Sequence, residues 1–246
     1  DLGTTTTYSI EDPVEFRLPY VQQIEVDERH GLTMHEGLRT ILRMDPDLIL
    51  VGEIRDGDSA VVAARAALSG RLVLATVHAQ DAAGAVDALH YLGVPYHVIA
   101  SSVRLVIAQN LVRKLCPDCS HTRELHDDDR EVFSQHGMET PENLRQAGGC
   151  ADCHSYGYRG RTGVFEVASV DDELATFIRS GSHHRELCDC LRKRGVRSMV
   201  QDGLEKAASG VTSMEELFRV CSFGRENPPQ AGRSPDPLTL QIIGQG

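Results

Sequence analysis

The sequence predicts an α/β fold built on a doubly wound sheet. Two short apolar runs, at 48–51 and 72–77, have the continuous apolar character of strands that are covered on both faces. Segments with helical spacing or composition lie before, between and after these runs. An alternation of strands with helices is typical of an α/β sheet, and this alternation carries the prediction.

The elements follow from local patterns. Pro13 breaks a strand that ends in the stretch SIEDPVEF, and apolar residues at helical spacing predict a helix before the first apolar run. An alanine-rich segment that closes with a glycine predicts the next helix. The predicted order is a strand end near 9–12, a helix at 33–44, a strand at 47–54, a helix at 58–70, a strand at 71–79, and helices at 82–92 and 96–114.

The second half of the chain differs in composition from the first. A polar stretch rich in histidine and glycine is followed by a predicted strand and four short helices, and the last residues are rich in Pro and Gly, which predicts disorder. The predicted divisions are an α/β core at 1–114, an excursion at 115–163, a strand and helical region at 164–221, and a disordered tail at 222–246.

Composition excludes some classes of protein. The formal net charge of −11 argues against nonspecific binding to nucleic acid, which needs clustered cations. No run approaches 18 consecutive apolar residues, so no transmembrane helix is expected. The chain begins with neither Met nor a signal peptide, and we expect it to be a piece of a longer protein.

Acidic residues and one histidine follow the predicted strands. Glu53 comes just after the run at 48–51, Glu11 and Glu15 flank Pro13, and His78 ends the strand at 71–79. Carboxylates at the carboxyl edge of an α/β sheet serve Mg²⁺ and the attacking water in ATPases, and a histidine there can sense a phosphate. Each feature has a structural alternative. Glu53 could lie in a solvated loop with an internal ion pair, Glu11 and Glu15 could form a surface acidic turn, and His78 could be an ordinary loop histidine.

Two C-x-x-C pairs indicate a metal site. Their spacing suits tetrahedral Zn²⁺ held by four thiolates, a closed site that folds its own segment. The alternative is two unrelated reduced pairs, and the three remaining cysteines are expected to serve packing. The predicted ligands are Cys116, Cys119, Cys150 and Cys153; the packing residues are Cys188, Cys190 and Cys221.

Five stretches together resemble a known family. In order they are SIEDPVEF, GLRTILRMDPDLILVGEIRD, AALSGRLVLATVHA, LVRKLCPDC and GCADCHSYGYRGRTGVFE. They are similar to segments of the bacterial type II secretion and type IV pilus assembly ATPases (GspE/PilB-like), over roughly residues 8–221. The resemblance implies a RecA-like P-loop ATPase core with a tetracysteine zinc subdomain and a helical C-terminal region.

The same resemblance implies roles for individual residues. Glu11 and Glu15 match the family's Asp box, Asp47 and Glu53 its Walker B motif, and His78 its His box. Glu53, Glu11 and His78 would then serve catalysis. Glu15 and Asp47 would help to bind Mg²⁺-ATP, as would three matching arginines that organise the nucleotide site or subunit contacts: Arg39, Arg43 and Arg55.

The sequence also departs from the family. A Walker A loop ends in Gly-Lys-Ser/Thr, and none of the three lysines, Lys114, Lys193 and Lys206, follows a glycine. We therefore expect that this piece alone does not bind ATP with useful affinity. Ala88 and Asn110 stand where the family usually has arginine, which leaves open a degenerate, noncatalytic paralogue that acts as an assembly scaffold.

The resemblance implies a motor. The parent protein would be a homo-hexamer at the cytoplasmic face of the inner membrane, where ATP hydrolysis drives a membrane platform protein of the pilus or secretion machine. The tetracysteine motif favours assembly or secretion over pilus retraction. A zinc-ribbon nucleic-acid binder is a third possibility, and the net charge of −11 opposes it.

Overall fold

The computed structural model describes residues 3–221 and 239–244. Its strands are β1 (Thr7–Glu11), β2 (Val21–Glu25), β3 (Leu48–Val51), β4 (Leu72–His78), β5 (Leu105–Leu115), β6 (His121–Arg123), β7 (Leu144–Gln146), β8 (Tyr158–Ser169) and β9 (Thr239–Gly244). Its α-helices are α1 (Met34–Ile41), α2 (Gly57–Leu68), α3 (Ala82–Tyr91), α4 (Tyr96–Ser102), α5 (Asp127–Gln135), α6 (Asp172–Arg179), α7 (His184–Lys193), α8 (Met199–Ala208) and α9 (Met214–Val220).

The predicted α/β class is confirmed. Strands β2, β1, β3 and β4 are neighbours in that order, and each adjacent pair is parallel. In β3 the side chains of Ile49 and Val51, on one face, are fully buried, and those of Leu48 and Leu50, on the other face, are half-buried. Helices α1, α2 and α3 begin at the side-chain caps Thr33, Asp56 and Asp81.

The chain divides into two compact units. The described residues of the first are 3–108, 167–196 and 239–244, and those of the second are 109–166 and 197–221. This division differs from the predicted segments, because the region at 164–221 is shared between the units. Helices α6 and α7 pack against α4 and α3 and so belong to the first unit, whereas α8 and α9 pack on each other in the second.

The helix predicted at 96–114 is wrong beyond Ser102. Helix α4 ends there, and β5 follows with Val106, Ala108 and Val112 buried in an alternating pattern. β-Branched and apolar residues at alternate positions favour a strand over a helix. The prediction also missed β2, whose sequence VQQIE is too polar to stand out as a strand.

The polar excursion holds more structure than its composition suggests. Strands β6 and β7 form an antiparallel pair, and α5 follows β6. Phe133 and Leu144 are almost fully buried, so the segment contributes to a core that the sequence analysis did not expect. Within the predicted disordered tail, 239–244 form β9, antiparallel to β4; the rest of the tail lies outside the described residues.

Candidate functional site

A cleft of about 660 Å³ lies in the first unit, where β1, β3 and β4 end. Ligand sites of open α/β sheets form at this carboxyl edge. Hydrogen bonds hold the strand ends together: Gly52 N–H donates to the Ile10 carbonyl at 2.8 Å, and Thr76 Oγ1 donates to the Gly52 carbonyl at 2.5 Å. A Cβ on Gly52 would lie 3.2 Å from the Glu11 Cα, so the glycine permits this close approach.

Glu53 lies between Arg55 and His78. Arg55 binds its Oε2 through Nε at 2.8 Å and through Nη2 at 2.7 Å. The His78 Nε2 lies against the other oxygen, Oε1. The hydrogen bond and the charge of Glu53 raise the pKa of Arg55, which also approaches Asp12 at 3.4 Å. Arg55 therefore engages Oε2 of Glu53, whereas Oε1 is buried against the His78 ring without a hydrogen bond.

Glu11 is fixed by neutral donors instead. The buried Ser9 donates its hydroxyl to Glu11 Oε1 at 2.5 Å, and Gln23 Nε2 donates to the same oxygen at 3.0 Å. Gln23 also orders the loop after Pro13: it donates to the Phe16 carbonyl at 2.8 Å and accepts from the Leu18 N–H at 2.8 Å. No motif in the sequence marks Gln23, and the sequence analysis missed it.

The charge of the cleft favours a cation. Six carboxylates line it, against one arginine and one histidine, and the basic groups already contact Glu53. Closely spaced carboxylates repel one another unless a cation or several donors lie among them, and Mg²⁺ prefers such oxygen ligands. The six are Glu11, Asp12, Glu15, Glu28, Glu53 and Asp56.

The structure brings some predicted site residues together and not others. Glu11, Glu15, Glu53, Arg55 and His78 all line the cleft. Their roles stay predictions.

Asp47 does not join them. It precedes β3, and its carboxylate accepts the Thr6 N–H at 2.7 Å, at the opposite end of the strand from Glu53. Asp47 and Glu53 are six residues apart, and extended chain of that length spans about 20 Å, so Asp47 is far from the cleft. In the described chain Arg39 and Arg43 also lie outside the cleft lining; Arg39 is exposed on α1 and pairs with Glu36 at 3.7 Å.

The four predicted cysteine ligands cluster in the second unit. All four sulfur atoms lie within 4.8 Å of one another. The separations are 3.9 Å for Cys116–Cys150, 3.7 Å for Cys119–Cys153 and 3.6 Å for Cys150–Cys153. A tetrahedral zinc ion with Zn–S bonds of 2.3 Å requires sulfur separations of about 3.8 Å. The donor set and its spacing therefore fit Zn²⁺.

Backbone donors prepare this cluster for a cation. The N–H groups of Cys150 and Gly157 donate to Cys153 Sγ at 3.4 and 3.2 Å, and they lower the pKa of that thiol to about 6. Desolvation raises the pKa of Cys119 to about 12. Since a bound metal deprotonates its thiol ligands, zinc binding here would release protons.

Among the described residues, no helix is both long enough and apolar enough to cross a membrane.

Comparisons with known proteins identify the family. Residues 2–219 match the family described as type II/IV secretion system protein. The chain is 42% identical over 212 residues to the type II secretion system ATPase E of Vibrio cholerae, covering 86% of this chain and 42% of that protein. It is 39% identical over 216 residues to the type IV pilus assembly ATPase PilB of Thermus thermophilus, covering 86% and 24%.

Solved structures show the same fold. The crystal structure of the pilus retraction motor PilT with bound ADP matches with a TM-score of 0.58 at 22% identity, over 87% of this chain and 51% of that one. The ATPase DotB of Legionella pneumophila matches with a TM-score of 0.58 at 21% identity, over 86% and 50%. The chain spans less than half the length of the curated relatives named above. By its sequence match, the chain belongs to the type II/IV secretion system protein family.

Proposed function

We propose that this chain supplies the acidic edge of the nucleotide site in an ATP-hydrolysing motor for type II secretion or type IV pilus assembly. One observation carries the proposal: Glu53 lies at the end of a buried parallel strand, between Arg55 and His78, in a cleft lined by six carboxylates. Relatives named as secretion and pilus ATPases support the motor class.

The proposed chemistry assigns separate tasks to the residues. Mg²⁺, when bound with ATP, would neutralise phosphate charge, and Glu11 and Glu15 are the cleft acids that would bind it directly or through water. Glu53 would accept a proton from the attacking water or orient it. Because Glu53 Oε1 is buried against the His78 ring, His78 would have to move away before this oxygen could reach water. A γ-phosphate that attracts His78 would free that oxygen.

The phosphates need donors that this edge lacks. Its basic groups, Arg55 and His78, are engaged with Glu53, and the 246-residue sequence contains no Walker A motif. We propose that a segment of the longer parent protein supplies the phosphate-binding loop. Isothermal titration of the 246-residue chain with Mg²⁺-ATP should then detect no micromolar binding. Micromolar binding by this chain alone would contradict the assignment.

Replacing Glu53 with Gln tests its proposed role. In the longer parent protein, Glu53→Gln should lower ATP hydrolysis by about 10²–10⁴-fold, because general base catalysis is worth that much, and should leave nucleotide binding in place. Asp58→Asn is the matched control: Asp58 is an exposed acid in the first turn of α2, outside the cleft lining. Turnover of Glu53→Gln at the rate of this control would refute the role.

The proposed partners follow from the family. The parent would assemble as a homo-hexamer at the cytoplasmic face of the inner membrane and act on a membrane platform protein. Structural Zn²⁺ at the four cysteines would hold the segment at 115–163.

A second candidate function is a noncatalytic scaffold. Asn110, where the family usually has arginine, donates from Nδ2 to the Val220 carbonyl at 3.3 Å, a contact within the second unit. The hydrolysis assay above separates the candidates: a parent protein with an intact phosphate-binding loop and no measurable turnover would favour the scaffold.

A further inference from the structure

Three side chains with metal-binding atoms meet in the first unit, away from the residues that line the cleft. Asp81 precedes α3, whereas His184 and Cys188 lie on α7, about a hundred residues later in the chain. One ligand atom from each lies within 4.8 Å of the others. Helices α3 and α7 pack against each other, so the convergence follows from the fold.

The spacing of His184 and Cys188 places both side chains on one face of α7. Residues four apart lie on the same face of a helix, one turn from each other. His184 Nε2 lies 3.0 Å from Asp81 Oδ1, and Cys188 Sγ lies 3.7 Å from His184 Nδ1 and 4.0 Å from Nε2. Cys190, only two residues beyond Cys188, lies outside this group in the described chain.

Asp81 is held in position from its own helix. Its Oδ1 accepts the Gly84 N–H at 2.7 Å as the cap of α3. A Cβ on Gly84 would lie 3.2 Å from that oxygen and 3.9 Å from His184 Nε2, so the glycine leaves room beside both ligands. The carboxylate therefore needs little ordering to bind an ion.

We propose that Asp81, His184 and Cys188 form a second metal site, which takes Zn²⁺ or Co²⁺ and joins α3 to α7. A tetrahedral zinc ion with one oxygen, one nitrogen and one sulfur ligand requires an O···N separation of about 3.3 Å and an N···S separation of about 3.6 Å. The observed 3.0 and 4.0 Å differ from these values by a few tenths of an ångström, and the Cys188 thiol, which is 3.7 Å from Nδ1, would turn towards Nε2 when the ion binds. Thiolate and imidazole favour Zn²⁺ or Co²⁺ over Mg²⁺ or Ca²⁺.

The site differs from the tetracysteine cluster in its ligand count. Three protein ligands leave the fourth position of a tetrahedral ion open to water or to another ligand. The side chains of His184 and Asp81 are 47% and 28% exposed, so an ion can reach them from solvent. The inference does not depend on the proposed ATPase function.

Zinc content measured by elemental analysis tests the site. The reduced 246-residue chain is equilibrated with buffered free Zn²⁺, and the wild type should hold one equivalent more than Cys188→Ser and one more than His184→Ala. Cys190→Ser is the matched control and should keep the wild-type content, since Cys190 is also a half-buried cysteine of α7.

A second measurement guards against misfolded variants. Zn²⁺ should raise the melting temperature of Cys190→Ser more than that of Cys188→Ser, because an ion that binds only the folded state stabilises it. Far-ultraviolet circular dichroism should be the same for all variants. Equal zinc content and equal melting shifts in Cys188→Ser and Cys190→Ser would overturn the proposal and leave a surface His–Asp ion pair beside a thiol.

Discussion

The buried carboxylate of Glu216 should make stability depend on pH in the second unit. Glu216 is fully buried on α9 and accepts from Arg113 at 2.8, 2.9 and 2.7 Å, and from Arg219 at 2.9 and 2.8 Å. Desolvation opposes its ionisation, but these hydrogen bonds prevail and lower its pKa from 4.5 to about 2. Arg113 also stacks over the ring of Tyr158, 4.1 Å from the centroid.

The magnitude follows from linkage between protonation and folding. Each tenfold difference in proton affinity is worth about 1.4 kcal/mol, so ionised Glu216 contributes about 3 kcal/mol at neutral pH. The folded-state pKa is the lower one. This contribution is therefore fully present above pH 4.5, the ordinary pKa, and is lost as pH falls towards about 2. At pH 3 about 1.4 kcal/mol of it should remain.

Glu216→Gln removes the charge and keeps the shape. Urea unfolding followed by circular dichroism should place this variant about 3 kcal/mol below the wild type at pH 7, with the difference falling to about 1.4 kcal/mol at pH 3. Glu215→Gln is the control. Glu215 is the neighbouring acid on α9, it is 57% exposed, and its ion pair with Arg123 is long, at 3.7 Å. A difference that is the same at both pH values would refute the reasoning.

Other substitutions have equally direct expectations. Cys150→Ser should release zinc from the tetracysteine cluster and speed hydrogen exchange across 116–160; unchanged metal content on comparison with Cys190→Ser would contradict that site. Gly37→Ala should lower the free energy of unfolding by about 1–3 kcal/mol, because a Cβ there would lie 2.0 Å from the Cδ1 of the fully buried Ile10. Gln23→Ala should speed proteolysis of the loop at 13–20 without unfolding the first unit, since Gln23 holds the Phe16 carbonyl and the Leu18 N–H; unchanged cleavage would show that other contacts order the loop.

Much of the first unit could be predicted because its signals are local. The apolar runs of β3 and β4 are typical of buried strands, and side-chain caps mark where the helices begin. The grouping of Glu11, Glu53 and His78 follows from a rule about parallel strands: their carboxyl ends share one edge. Asp47 does not belong to this group, because it precedes its strand and therefore lies at the other edge of the sheet.

Other features depend on contacts that no local pattern encodes. Strand β2 is recognisable only by its pairing with β1, and Gln23 matters only because the fold places it beside Glu11 and the loop. Helix α4 and strand β5 follow each other in one mostly apolar segment. The length of the whole segment favours a single helix, whereas the alternating pattern of its second half favours a strand. Asp81 and His184 are separated by about a hundred residues, so their contact could not be read from spacing.

In the proposed function, the acidic edge and a phosphate-binding loop would divide the work of a nucleotide site, and the division would be electrostatic. Six carboxylates in one cleft would repel a nucleotide unless Mg²⁺ accompanied it, and Arg55 and His78 already contact Glu53. On this proposal, affinity would come from donors elsewhere in the parent protein, whereas this edge would set the rate of hydrolysis. Loss of Glu53 should then separate binding from turnover, and a phosphate-binding loop without this edge should bind nucleotide and fail to hydrolyse it.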